Sequence, residues 1–321
     1  MKLDVVYSGN LQGVDTAARK AEQLRFSGLW VTETSHNPFF HLLRAAEASP
    51  KLTLGTAVAI ALARSPFTLA QTAWDLAEFS QGRFWLGLGS QVRAHIVKRF
   101  SMPWDKPVAQ MREMILALRA IWEAFQTGNK LNFEGDYYRH TLLTPFFNPG
   151  PIEHPDIPIG LAAVGEKMTA LAAELANFVV LHPFTNAEYL KNVTMPAVKA
   201  GLKKADRPRD DFTVLGSLFA ITGDEQQQAM LDQLVRRQLS FYGSTPAYRG
   251  VLEAIGQDEL AEELHKLSRQ GEWKTMASLV DDDLLARFAV RGTPDKLPGL
   301  VAERFGGIYD RVILSVPLVD H

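Results

Sequence analysis

Apolar positions along this chain switch repeatedly between two spacings. Short runs of four to six apolar residues alternate with longer stretches whose apolar residues recur about every 3.6 positions, the strand and helix signatures. Leu3–Tyr7 alternates like a strand, and Val14, Ala17, Ala18, Ala21 and Leu24 then mark one helical face. Leu29–Glu33 and Leu52–Val58 read as further strands, with a helix over Pro38–Ala48 between them. Leu69, Ala73, Leu76 and Ala77 lie at helical spacing in Pro66–Phe79, where Ser65 supplies the N-cap and Pro66 the first helical position. The continuous run Phe84–Leu88 is a strand with both faces buried, as parallel strands have. Val108, Met111, Ile115, Leu118, Trp122 and Phe125 form the stripe of a long helix that ends at Thr127-Gly128-Asn129.

The alternation pauses and then resumes. Asn132 to Tyr138 suits a short hairpin or loop, and Thr144–Pro151 is irregular by composition. Strands follow at Ile157–Leu161, Phe178–Leu181 and Phe212–Ile221, with helices over Glu166–Ala176, Ala187–Ala205 and Glu225–Phe241. Tyr242 to Leu285 is helical in patches without a clear strand and reads as an insertion. Phe288–Val290 is assigned to a loop, and helix Pro294–Phe305 and strand Arg311–Val316 close the chain. Eight strands separated by helices predict an α/β fold, a (β/α)8 TIM barrel. The expected organisation is one domain over residues 1–321, with insertion segments at about 127–155 and 242–288, after strands 4 and 7. An open doubly wound sheet would carry a dinucleotide fingerprint after its first strand, and Tyr7-Ser8-Gly9-Asn10-Leu11-Gln12-Gly13 does not supply one.

Composition narrows the function classes. With Lys+Arg 34 against Asp+Glu 36, the net charge of -2 argues against general affinity for nucleic acid or anionic membrane. The absence of cysteine removes disulfides, thiolate metal ligands and a cysteine nucleophile. The N-terminus lacks the apolar run of a signal peptide, and no stretch approaches the ~18 apolar residues of a membrane span. A cytoplasmic protein acting on a small molecule is therefore expected.

Barrel chemistry sits on the loops after the C-terminal ends of the strands. There the chain places Glu33, Thr34 and His36 after strand 2, Ala57-Val58 after strand 3, and Ser90, Gln91, Arg93 and His95 after strand 4. Val164 and Gly165 follow strand 5, and His182 follows strand 6. Three histidines and a carboxylate thus converge on one end of the barrel. Glu33 suits either catalysis or a salt bridge at the rim, and His36 either chemistry or a cap for the second helix. Arg83 opens strand 4 at the opposite end, which predicts a buried structural ion pair. Gly160-Leu161-Ala162-Ala163-Val164-Gly165-Glu166-Lys167-Met168 is a strand, a small-residue turn and a helix start; its free N–H groups suit a phosphate, and its small residues also serve tight strand-to-helix packing. Arg93, Lys98 and Arg99 form a basic cluster that suits either a solvated helix face or an acidic cofactor tail. The chain has no phosphate-binding Gly-Lys-Ser/Thr loop, no Gly-x-Ser-x-Gly elbow, no His-Glu-x-x-His and no His-x-His pair on one strand, so no metal site is predicted.

These segments resemble the luciferase-like flavin and deazaflavin oxidoreductases. The resemblance is carried by Gly28–Thr34, by Leu54–Val58 and most specifically by Ala77-Glu78-Phe79-Ser80-Gln81-Gly82-Arg83-Phe84-Trp85-Leu86-Gly87-Leu88-Gly89. Arg99–Trp104, Thr144–Pro151 and Phe241–Arg249 are similar to a subgroup assigned to coenzyme F420. The resemblance implies that Ala57-Val58 forms the strand-3 bulge, often with a non-proline cis peptide, on which the tricyclic ring rests. It implies that Ala163, Val164, Gly165 and Met168 hold the cofactor phosphate and that His95 lies near the cofactor. Thr34, Gly89, Gln91 and Arg93 complete the expected cofactor-binding set.

In the glucose-6-phosphate dehydrogenase members an Asp-His pair ends strand 2; here Glu33 and Thr34 occupy those places, and the histidine is displaced to His36. This departure argues against sugar-phosphate oxidation. His36, Glu33 and His182 are the catalytic candidates, with His36 first because it shares a loop with Glu33. The expected activity is hydride transfer between F420 and an organic substrate, with an apolar or planar substrate suggested by Tyr137, Tyr138, Phe146, Phe147, Tyr242 and Tyr248. FMN-dependent monooxygenation and a catalytically silent flavin-binding homologue are the alternatives. A homo-oligomer, dimer or tetramer, is expected.

Overall fold

Eight parallel strands close on themselves in the computed structural model, which describes residues 1–314. They are β1 (Lys2–Tyr7), β2 (Gly28–Val31), β3 (Thr53–Thr56), β4 (Phe84–Gly89), β5 (Ile159–Ala163), β6 (Phe178–Leu181), β7 (Thr213–Ile221) and β8 (Arg311–Leu314). Each pairs with the next in chain order, and β8 returns to β1 with Lys2 opposite Arg311 and Val5 opposite Leu314. The fold is the (β/α)8 barrel that the alternation predicts. Ser315 and Val316 of the expected last strand lie outside the described residues.

Helices pack around this sheet: α1 (Val14–Gln23), α2 (Pro38–Ala48), α3 (Pro66–Phe79), α4 (Pro107–Thr127), α5 (Glu166–Leu175), α6 (Met195–Lys204) and α7 (Leu297–Phe305). Their apolar stripes and the outward residues of the strands make one continuous core. The barrel interior is filled separately. Trp30, Trp85 and Phe178 cluster there, Trp30 edge-on to the other two, and Gly55 and Gly160 leave the room: a Cβ at Gly160 would lie 2.1 Å from the Phe178 ring. Beside them Arg311 forks onto Asp4 at 2.7 and 2.8 Å, and Trp30 Nε1–H donates to the same carboxylate at 2.9 Å. That plug leaves the C-terminal end of the barrel as the open one.

A second apolar cluster sits beyond the end of β7. It joins Phe219 and Ile221 of β7 to Leu231, Val235 and Leu239 of the helix Glu225–Gly243, and to Leu264, Met276, Leu284 and Phe288 of the segment 242–288. Within that segment lie the helices Arg249–Glu253, Asp258–Gln270, Trp273–Ser278 and Asp282–Phe288. The hairpin Phe133–Glu134/Arg139–His140 lies in the other inserted stretch, where Glu113 of α4 accepts the amide N–H groups of Asp136, Tyr137 and Tyr138.

Three local expectations need correction. Phe288–Val290, expected as a loop, contributes to a strand Ala289–Arg291 beside Phe219–Ile221; β7 runs nine residues, extends past the end of β6, and is paired there by Ala289–Arg291. The single helix expected over Ala187–Ala205 is broken into Ala187–Tyr189, a π-turn Leu190–Thr194 and α6, because Pro196 has no N–H and its ring crowds the preceding turn. Among the described residues Arg83 makes no ion pair. Its guanidinium donates to the carbonyls of Ser49 (2.8 Å), Leu52 (3.1 Å) and Ala46 (3.2 Å), closing the C-terminal end of α2 where backbone acceptors lack partners.

Candidate functional site

The open end of the barrel holds a cavity of about 430 Å³. Its lining includes Glu33, Ala57, Val58, Gly89, Gln91, Ala163, Val164, Gly165, Met168 and His182. A neighbouring cavity of about 800 Å³, bordered by Tyr7, Asn10, Lys20, Val235 and Tyr242, shares Thr32, Ala57, His182, Pro183 and Ser217 with the first. The two are lobes of one space, and His182 stands where they meet.

One wall is the bulge after β3. The Ala57–Val58 peptide is cis, and the chain then re-enters the sheet at Ala59–Ile60, opposite Leu88 and Gly89. Val58 packs directly over β4, since a Cβ at Gly89 would come within 2.6 Å of its side chain. The hydroxyl of Thr56 donates to Gly87 O at 2.6 Å and ties the start of the bulge to the same strand. Glu33 ties its far end. Its backbone N–H donates to Val58 O at 3.3 Å, and Oε2 accepts the Ile60 N–H at 2.7 Å. Both terminal guanidinium nitrogens of Arg64, Nη1 and Nη2, reach the same carboxylate at 2.7 Å, with Glu33 side-chain exposure only 7% and that of Arg64 17%.

A second wall is the turn from β5 into α5, on the other side of β4 from the bulge. Gly165 is the N-cap residue, and no side chain caps the helix. The N–H groups of its first turn therefore lack helical acceptors and carry the positive end of the helix dipole. Tyr189 Oη donates to Val164 O at 3.1 Å and fixes the turn from outside. Nothing lies within 4 Å of a Cβ built on Gly165, so this position faces open space.

His182 is defined by its surroundings. Its Nδ1 accepts the N–H of Phe184 at 3.0 Å, which leaves the ring proton on Nε2. Tyr242 and Tyr248, with ring centroids 4.4 and 4.9 Å away, pack against the imidazole. Burial disfavours the imidazolium and lowers the pKa to about 4. At neutral pH the group is a neutral hydrogen-bond donor.

The remaining candidates lie outside both cavity linings. His36 is exposed on the loop before α2, 5.9 Å from the buried His41 between ring centroids. Thr34 is exposed as well, and its carbonyl accepts from Arg99. Arg93 and His95 lie on exposed positions of the short helix Arg93–Lys98, whose buried residue is Ile96. Of the basic cluster, Arg99 is thus engaged within the protein and also lies over the Phe100 ring at 4.8 Å. Sequence reasoning passed over Arg64 and Ser217. The signal for Ser217 is its hydroxyl in an otherwise apolar strand; Arg64 has none, because its partner is 31 residues away. Among the described residues no group of His, Asp or Glu gathers as a metal site requires.

The chain belongs to the luciferase-like monooxygenase family, whose model matches residues 3–311. It is 46% identical to an uncharacterized protein of Mycobacterium tuberculosis over 98% of this chain and 92% of that protein. It is 29% identical to the 5,10-methylenetetrahydromethanopterin reductase of Archaeoglobus fulgidus, covering 93% and 87% of the two chains. Among solved structures, the coenzyme F420 dependent tetrahydromethanopterin reductase of Methanopyrus kandleri superposes with a TM-score of 0.81 at 21% identity, over 98% of this chain and 93% of that one. No helix among the described residues is long and apolar enough to cross a membrane.

Proposed function

We propose that the protein is a coenzyme F420-dependent oxidoreductase that exchanges a hydride with an organic substrate through a carbonyl or hydroxyl carbon. The observation that carries this reading is the pairing of a tightly packed bulge shelf with an uncapped helix N-terminus in the lining of one cavity. Ala57, Val58 and Gly89 would lie against the ring, and Ala163 to Gly165 with the first turn of α5 would hold the phosphate. The bound deazaflavin supplies the hydride donor or acceptor. The second lobe, bordered by Tyr7, Leu231, Val235 and Tyr242 together with the polar Asn10, Lys20 and Gln238, is where an apolar or planar substrate would lie.

His182 serves the substrate side in this reading. A neutral Nε2–H fixed by Phe184 and two tyrosines is a preorganised donor aimed at an oxygen on which negative charge develops. Its other nitrogen is already an acceptor, so His182 stabilises charge and does not collect protons; the hydroxyl proton released or taken up as the hydride moves would exchange with water through the open end of the barrel. His36 plays no part in this scheme, because its exposed loop lies outside the lining.

Fluorescence titration with F420, beside FMN under matched salt, tests the cofactor assignment. Tighter binding of F420 is expected. Tighter binding of FMN would favour the monooxygenase reading, and binding of neither would remove the assignment altogether.

A further inference from the structure

We infer that Glu33 is a positioning residue, which sets the shape of the cofactor shelf through a buried clip to Ile60 and Arg64. The inference rests on the cofactor reading above and adds how the shelf is held. Residues 57–60 leave β3, turn through the bulge and rejoin the sheet beside β4. Glu33 grips that segment at two points, with its N–H on Val58 O and its Oε2 on Ile60 N–H. Arg64 closes the clip from the end of the same segment. It forks onto the Glu33 carboxylate, donates to Ile60 O at 3.0 Å and lies over the Phe39 ring at 5.4 Å.

Charge-assisted, bidentate pairing of this kind fixes geometry as well as energy. Both carboxylate oxygens are engaged, and the side chain is almost fully covered. Its backbone partners are the residues that present the shelf, because Val58 and Ile60 both line the cavity. Removing either charge leaves the other buried without its partner, and the segment it held is then free to shift.

The test uses Glu33→Gln, Arg64→Gln and the double variant, with amide exchange read in the cofactor-free protein and F420 affinity read by fluorescence. In both single variants the Ile60 amide should exchange about tenfold faster or more, while Leu86 and Leu88 of β4 keep their protection. F420 should bind roughly tenfold more weakly, and the double variant should be no worse than the singles, because both act through one clip. A general loss of protection across the barrel would show a merely structural pair, and unchanged Ile60 exchange would show no clip. Faster Ile60 exchange with unchanged F420 affinity would also overturn the inference. Should Glu33→Gln not fold, Arg64→Lys, which keeps the charge and loses the fork, reads the same amide. If the wild-type protein binds no F420, the cofactor reading falls while Ile60 exchange still decides the clip.

Discussion

At the scale of single residues, the site depends on which polar atoms are already engaged. His182 has one nitrogen committed to Phe184, and burial holds its pKa at about 4 against an ordinary 6.5. The unfolded chain therefore takes up this proton near pH 6.5, whereas the folded protein refuses it until about pH 4. The group therefore costs nothing above pH 6.5 and destabilises the fold as pH falls from 6.5 towards 4. Between pH 7 and pH 5 the loss should be about 2 kcal/mol. Urea unfolding at the two pH values should show it in the wild type, and His182→Gln should lose that part of the drop. An equal drop in both proteins would mean that the imidazole titrates normally.

The histidines also mark how far the sequence could be read at this scale. His36, His95 and His182 all follow strand ends, which is visible in the sequence. What separates them is whether the loop turns inward. His182 precedes Pro183 and packs under the tyrosines of the inserted segment, whereas His36 precedes α2 on an outward turn. Glu33 shows the same limit, since its role depends on Arg64, which no local pattern points to.

At the scale of elements, Gly165 gives the most discriminating substitution. The open space around it removes any steric objection to a side chain, and its φ of -78° suits aspartate. Gly165→Asp should therefore fold. Its carboxylate would accept from the first turn of α5, which leaves stability of the cofactor-free protein unchanged or a few tenths of a kcal/mol higher. That same carboxylate would occupy and repel where the phosphate is expected, so F420 affinity should fall at least about tenfold. Thermal unfolding and fluorescence titration read the two effects separately. Unchanged affinity in the folded variant would place the phosphate elsewhere.

Elements with local punctuation were legible and those shaped by distant partners were not. Ser65 and Pro66 begin α3 where the sequence places it, with the Ser65 hydroxyl accepting from Thr68 N–H at 3.2 Å. Gly128 ends α4 in the left-handed conformation. By contrast, Ala289–Arg291 forms a strand only because β7 leaves an edge beside it, and Arg83 finds carbonyls from another helix. Pro196 was in plain view, yet its consequence was a widened turn within the helical stretch and not an end to it.

At the scale of the whole molecule, the barrel is held shut by residues from its two extremes. Asp4 in β1 and Arg311 in β8 meet in the plugged interior, where both are almost completely covered. Asp4→Ala would strand the guanidinium and remove the acceptor of Trp30, so a loss of about 3–5 kcal/mol in unfolding free energy is expected. Asp4 and Arg311 sit at the end of the barrel away from the cavity, with the apolar cluster between them and Ala57–Val58, so F420 affinity of the remaining folded protein should be unchanged. A large affinity loss without a stability loss would contradict that division of labour.

The same division leaves the cofactor site open to direct inspection. A crystal structure of the protein with F420 bound should place the ring against Ala57, Val58 and Gly89, with the phosphate at the first turn of α5 and His182 Nε2 facing the substrate lobe. A ring seated in the larger lobe near Lys20, or a phosphate held away from α5, would contradict the account.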